Sequence, residues 1–212
     1  HRVNTIKQLK KTSINFGVEI DLRSDLKNIY LNHNPFMEGE KFDKWLKHFK
    51  HKLLVLNVKE EGLENKIIKI LSLYKIKNFF FHDQTFSSLL KNKEITNVSI
   101  RYSEFEDLKN RKYLFKKIKW VWIDNFSIFP LYKDFYNICK KSKVKICIVS
   151  PELVDLKKKS EINKIIKYLK KNKFKIDAVC TKYPYLWKKK NNLKNNLQTL
   201  QRIEKNFLKK KI

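Results

Sequence analysis

The feature that most constrains this chain is a regular alternation of two apolar rhythms. Short runs rich in Val, Ile, Phe and Trp occur at 17–22, 52–58, 77–81, 97–101, 119–123, 143–149 and 174–180. Each is too short for a stable helix and too β-branched or aromatic to favour one, so each predicts a strand. Between them the apolar residues repeat at helical spacing. Leu63, Ile67, Ile70 and Leu71 form one stripe, Ile162, Ile165, Ile166 and Leu169 another, and Leu193, Leu197, Leu200 and Phe207 the last. The strand runs do not alternate strictly between polar and apolar, which suits strands buried on both faces of a parallel sheet wrapped by helices.

Seven β-then-α units can be counted in this way. A helix-like segment, Val3 to Phe16, precedes the first run, and a strand upstream of His1 would bring the count to eight. Eight such units in 212 residues fit a small α/β (β/α)8 TIM barrel, with an open doubly wound sheet as the alternative. No stretch rich in Pro, Gly or Ser interrupts the alternation, so residues 1–212 read as a single domain. Neither GxGxxG nor GxxxxGK[ST] occurs, which removes nucleotide binding through a glycine loop.

Composition narrows the partners. The formal net charge is +28, but arginine occurs only at Arg2, Arg23, Arg101, Arg111 and Arg202. Lysine is spread along the whole chain rather than gathered with arginine on one face. A solvated lysine-rich surface is therefore favoured, attraction to phosphate polymers or anionic membrane is the sharper alternative, and nucleic acid is not the expected partner. Cys139, Cys147 and Cys180 form no CxxC pair, so a disulfide scaffold and a zinc ribbon are excluded and a reducing, cytoplasmic setting is expected. No apolar run approaches the roughly 18 residues of a membrane span.

In a parallel barrel the chemistry sits at the carboxyl ends of the strands. Glu19 and Asp21 stand two apart, which in a strand puts both carboxylates on one face. A hard divalent cation, Mg²⁺ or Ca²⁺, would resolve their repulsion, as would ion pairs with Arg23 and a lysine. His33 ends a short extended run, and Asn57 and Lys59 share a face. Further strand ends carry Arg101, Asp124, Ser150 with Glu152, and Thr181 with Lys182 and Tyr183. Such a mouth suits an anionic phosphate substrate. His48 and His51 lie in a lysine-rich helical stretch and read as surface residues. His82-Asp83 follows the third run and ranks below the first two histidines.

The order of these motifs resembles the glycerophosphodiester phosphodiesterases, within the phospholipase-C-like phosphodiesterase superfamily. That family opens with His-Arg-Gly, continues with Glu-x-Asp and His-Asp, and closes with a strand like V-D-G-I-x-T-D-x-P. Here the matches are His1-Arg2, Glu19-Ile20-Asp21, His33-Asn34 and the run Ile176 to Pro184, IDAVCTKYP. The opening HRVN is also similar to the His-x-Val-Asn of the sphingomyelinase D enzymes. The resemblance implies a TIM barrel that cleaves a phosphodiester with a divalent cation. It implies His1 and His33 as the acid–base pair, Glu19, Asp21 and Asn57 around the cation, and Arg2 and Lys59 on the phosphate. Arg101, Trp122 and Tyr183 are candidates for gripping the phosphate or the head group. The implied substrate is a small phosphodiester or a lipid or glycan head group; the alternative is a barrel that binds such a group without turnover. Three departures stand out: Val3 for the family's glycine, Asn34 for its aspartate, and Asn57 for the acid of its third strand. An amide offers an oxygen but no charge, so weaker cation binding is expected unless Glu60, Glu61 or Asp83 reaches in.

Overall fold

The computed structural model describes residues 1–25, 27–91, 94–106 and 108–189. In chain order it contains α1 (Ile6–Lys11), β1 (Val18–Ser24), β2 (Ile29–Leu31), β3 (Glu40–Lys41), α2 (Phe42–Leu46), β4 (Leu54–Val58), α3 (Glu64–Leu73), β5 (Phe79–His82), α4 (Phe86–Lys91) and β6 (Ser99–Tyr102). It continues with β7 (Trp120–Ile123), α5 (Lys133–Lys141), β8 (Lys145–Val149), α6 (Ile162–Lys171), β9 (Ala178–Cys180) and α7 (Pro184–Lys189). Tight 3₁₀ turns fill Lys109–Lys116, Pro151–Leu153 and Leu156–Glu161. The stripe at Leu193, Leu197, Leu200 and Phe207 lies outside the described residues.

All seven expected strands are present and run parallel. β1, β4 and β5 pair in succession, as do β6, β7, β8 and β9. Among the described residues a single parallel bridge, Phe81 to Val98, joins the two series. The result is a (β/α)8-type barrel, and its two cores show why the runs lack strict alternation. Val55, Phe80, Trp120, Trp122, Cys147, Val149 and Cys180 pack together inside the strands. Their neighbours in sequence, such as Leu54, Leu56, Val121 and Ile146, pack outward against Ile67 and Leu71 of α3 and Ile165 and Leu169 of α6. Each such side chain taken out of water contributes about 1.5–3 kcal/mol, so strands packed on both sides read as continuous apolar runs; β1 departs from this, with Glu19 and Asp21 on its inner face.

The eighth position differs from the expectation of a helix over Val3 to Phe16. Residues 1–4 are not helical and lie between the first and last parallel strands, with Arg2 in the left-handed region. Val3 N–H donates to Glu19 O at 2.8 Å, and the backbone nitrogen of His1 lies 3.4 Å from Thr181 O. These bonds hold residues 1–4 out of α1, which starts only after Thr5. There a reciprocal cap forms between Thr5 and Gln8. Among the described residues no strand ladder joins β9 to β1. A cavity of about 1160 Å³ follows this seam, bordered by Val18, Leu53, Ala178 and Cys180 and reaching His1 and Glu19.

The short extended run before His33 is β2. It pairs antiparallel with the end of β1, Leu22 opposite Leu31, and β3 pairs with β2. Gly39 allows this hairpin to close, because a Cβ there would run into the Leu31 carbonyl. His51 corrects the surface reading: it is buried, with Nε2 3.0 Å from Thr12 O and its ring against Phe49. The chain has left α2 before reaching it, so helical spacing did not apply. Lys75, Lys143 and Lys173 follow α3, α5 and α6 at φ 56°, 57° and 55°. At each, the next residue's N–H closes on the helix, as Ile76 does on Leu71 O. Glycine is the usual occupant of this left-handed position; this chain has only 3.

Candidate active site

The carboxyl ends of β1, β4 and β5 place Asp21, Asn57 and His82 in register, one strand beside the next. Glu19 and Asp21 are both buried. Glu19 Oε2 accepts the Arg2 backbone N–H at 2.6 Å and lies 3.9 Å from His1 Nε2. Its Oε1 accepts from Asn57 Nδ2 at 3.2 Å. Burial first, and the Asp21 carboxylate second, push the Glu19 carboxyl above its ordinary pKa. Asp21 is gripped by Asn4: Asn4 Nδ2 donates to Oδ2 at 2.8 Å, and Asn4 Oδ1 accepts the Asp21 N–H at 2.9 Å.

His33 reaches the same rim through Arg2, whose Nη2 donates to His33 Nε2 at 2.6 Å. Since a guanidinium only donates, Nε2 must present its lone pair there. Nδ1 then carries the proton and donates to Asn34 Oδ1 at 2.9 Å. Arg23 anchors the His33 carbonyl with Nη2 at 3.0 Å. Arg2 sits at φ 53°, a left-handed conformation with its backbone N–H on Glu19 and its side chain on His33. His1, Arg2, Glu19, His33 and Asn57 are thus one connected group, with Asp21 beside Asn57 in register.

The oxygens fit a hard cation. Asp21 Oδ1 and Asn57 Oδ1 are buried and take part in no hydrogen bond among the described residues. The donors would be two carboxylates and one amide, since the described residues contain no cluster of three His, Cys, Asp or Glu suited to a metal. Glu60, Glu61 and Asp83 are occupied elsewhere. Glu60 accepts from Ser24 and pairs with Arg23, Glu61 accepts from Thr85, and Asp83 pairs with Lys59 and Arg101. Lys59 spans the gap, with Nζ 3.5 Å from Asp21 Oδ1 and 3.2 Å from Asp83 Oδ2.

On the far side of the rim, Arg101 contacts Asp83 at 2.6 Å and Asp124 at 3.1 Å. Burial raises the Asp124 carboxyl to about 6, against the pull of Arg101. Trp122 lies in the barrel interior, 5% exposed, with its ring stacked 3.9 Å from His82 and its Nε1 on Asp124. Its ring face is therefore turned to His82 rather than to the opening. His82 is itself buried, pushed down to about 3, and bonded at Nδ1 to Ser99 Oγ. It is neutral near pH 7 and braces the interior. Tyr183 carries the Lys159 ammonium 4.0 Å above its ring.

Two partners escaped the sequence reading. Asn4 stands in the HRVN motif, but nothing in its spacing revealed that it clamps Asp21. Glu152 was visible only as a strand-end acid. It is buried, accepts from Ser150 Oγ, from Thr181 Oγ1 at 2.6 Å and from Lys182 N–H at 3.0 Å, and so fixes the end of β9 beside His1.

A parallel (β/α)8-type barrel with acids, an amide and imidazoles at the carboxyl rim is the class this chain defines. Its fold is that of the glycerophosphodiester phosphodiesterases. The enzyme of that name from Thermotoga maritima superposes with a TM-score of 0.59 at 16% identity, over 87% of this chain and 88% of the other. The one from Agrobacterium tumefaciens gives 0.56 at 11% identity, over 83% and 89%. No family model and no curated protein matches the sequence itself. No helix among the described residues is long and apolar enough to cross a membrane.

Proposed function

We propose that this protein is a phosphoric-diester hydrolase or lyase that cleaves a glycerophosphodiester-like substrate, with His1 and His33 as its acid–base pair. The observation that carries the reading is the connected group around Glu19 together with two buried oxygens beside it, Asn57 Oδ1 and Asp21 Oδ1, which make no hydrogen bond among the described residues, the latter only ion-paired with Lys59. Glu19, Asp21 and Asn57 would hold a divalent cation, Mg²⁺ or Ca²⁺, which when bound supplies positive charge to a phosphate oxygen and acidifies a nearby hydroxyl.

The chain's own residues account for the rest. Arg2 is a guanidinium resting on a neutral imidazole. An arriving phosphate is the stronger acceptor, so Arg2 turns to it and frees His33 Nε2. One imidazole then removes the proton from a substrate hydroxyl, whose oxygen attacks phosphorus to give a cyclic phosphate. The other imidazole returns a proton to the departing alkoxide. His1, with Nδ1 buried and unpartnered, and His33 share these two roles. Lys59 and Arg2 offset the charge that builds on phosphorus in the transition state.

The test uses purified protein, a panel of glycerophosphodiesters, and Mg²⁺ or Ca²⁺. Wild type is expected to release the alcohol. His33→Ala is expected to lower kcat by roughly 10²–10⁴-fold, the usual loss for a general acid or base. Titration calorimetry should give cation-binding heat that vanishes in the Glu19→Ala, Asp21→Ala double variant. Full activity in His33→Ala, or no turnover by wild type with either cation, refutes the assignment.

A further inference from the structure

Several of the exposed large apolar side chains lie on loops that follow the carboxyl ends of the strands. Phe36 and Met37 lie on the loop that carries His33, Phe105 follows β6, Ile128 follows β7, and Leu156 follows β8. In a parallel barrel these loops share the carboxyl rim, where the candidate site opens. Ile14 and Leu73 lie toward the opposite end, Tyr113 lies within the Lys109–Lys116 turn, and the exposed Tyr185 packs on Phe16, which precedes β1.

The tips are built rather than frayed. Phe36 is 100% exposed, yet sits at φ 58°, a left-handed conformation that costs a non-glycine residue roughly 1–2 kcal/mol. Phe105 packs beside Phe126 at 6.0 Å, and Glu104 accepts backbone N–H groups of Phe126 and Ile128, holding the loop upright. Lysines stand between the tips. Lys158 Nζ donates to Phe126 O at 2.5 Å, and Lys159 lies over Tyr183.

Apolar tips separated by lysines, around an opening that suits an anionic head group, match the boundary of an anionic bilayer. The +28 formal charge, from 49 Lys and Arg against 21 Asp and Glu, complements such a surface and not a basic or neutral one. We infer that the carboxyl rim docks on anionic phospholipid membrane, with Phe36 and Phe105 inserted at the head-group boundary. The diester delivered to the site is then carried by a lipid. That last step rests on the proposed function; the docking does not.

The experiment is vesicle co-sedimentation, without added cation, of wild type and of His33→Ala. It uses phosphatidylglycerol–phosphatidylcholine vesicles and phosphatidylcholine vesicles, at low and high salt. Both proteins should partition at least tenfold more strongly to the anionic vesicles, and less at high salt. The Phe36→Ser, Phe105→Ser double variant should lose about tenfold or more with unchanged circular dichroism, as expected when inserted apolar area is removed. Leu73→Ser, an equally exposed change at the other end, should bind like wild type. Equal partition to both vesicle types overturns the inference, and so does wild-type binding by the double variant. An equal loss in Leu73→Ser, or no vesicle binding, as for a rim that docks on another protein, overturns it too. Vesicle binding without turnover refutes only the proposed function, whereas turnover without vesicle binding refutes only the docking.

Discussion

Replacing Asn57 with aspartate tests the electrostatics of the site directly. Asn57 Nδ2 now donates to Glu19 Oε1 at 3.2 Å. In Asn57→Asp a carboxylate oxygen takes the donor's place. Two unit charges at that separation repel by about 5 kcal/mol at an effective dielectric constant of about 20. The lost hydrogen bond to a charged acceptor adds about 1.5–3 kcal/mol, and relaxation or a shared proton returns a similar amount. A net loss near 5 kcal/mol lowers Tm by roughly 10–20 °C, at about 2–4 °C per kcal/mol for a chain of this size. Thermal melts at pH 7.5 in chelator should show this drop. Mg²⁺ or Ca²⁺ should restore the variant more than it raises wild type, since three carboxylates now face the ion. At pH 5 the penalty should shrink. Glu19 already has a raised pKa from burial and Asp21, and a protonated member of the trio removes the repulsion. A variant that melts with wild type in chelator and ignores both cations refutes the argument that these oxygens are gathered for an ion.

Other outcomes follow from single features. His82, with a folded pKa near 3 against an unfolded value near 6.5, binds fewer protons when folded. Stability therefore falls as pH drops below about 6.5, by about 2 kcal/mol at pH 5. Asp124, raised to about 6, acts in the opposite sense below that pH, so urea midpoints of wild type and His82→Gln at pH 7 and 5 isolate the histidine. Glycine at Lys75, Lys143 or Lys173 should each raise the unfolding free energy by about 0.5–1 kcal/mol, read as a higher urea midpoint, because each lysine holds a positive φ. Gly39→Ala should displace the hairpin that carries His33 and lower kcat while the far-ultraviolet circular dichroism is retained.

The strands were legible because burial on both faces leaves a continuous apolar run, and Glu19 and Asp21 were legible because i, i+2 fixes a shared face. What could not be read was decided by long-range bonds. Val3 fits a helical stripe, and only its bond to Glu19 O removes it from the helix. β2 and β3 have 3 and 2 residues, too few for any periodicity. Asn4 on Asp21, Lys59 between Asp21 and Asp83, and Trp122 on His82 are pairings across elements, and spacing along the chain carries no trace of them. The loops at Lys109–Lys116 and Leu156–Glu161 coil as 3₁₀ turns, which helical spacing does not distinguish.

Residues 1–4 lie along the seam and also furnish the rim: Val3 bonds Glu19 O, His1 meets Thr181 O, Arg2 holds His33, and Asn4 holds Asp21. The seam and the proposed site therefore share the same four residues. A mutation or solvent that loosens the wall there detunes proton transfer before it unfolds anything, so inactivation should precede melting when this protein is heated.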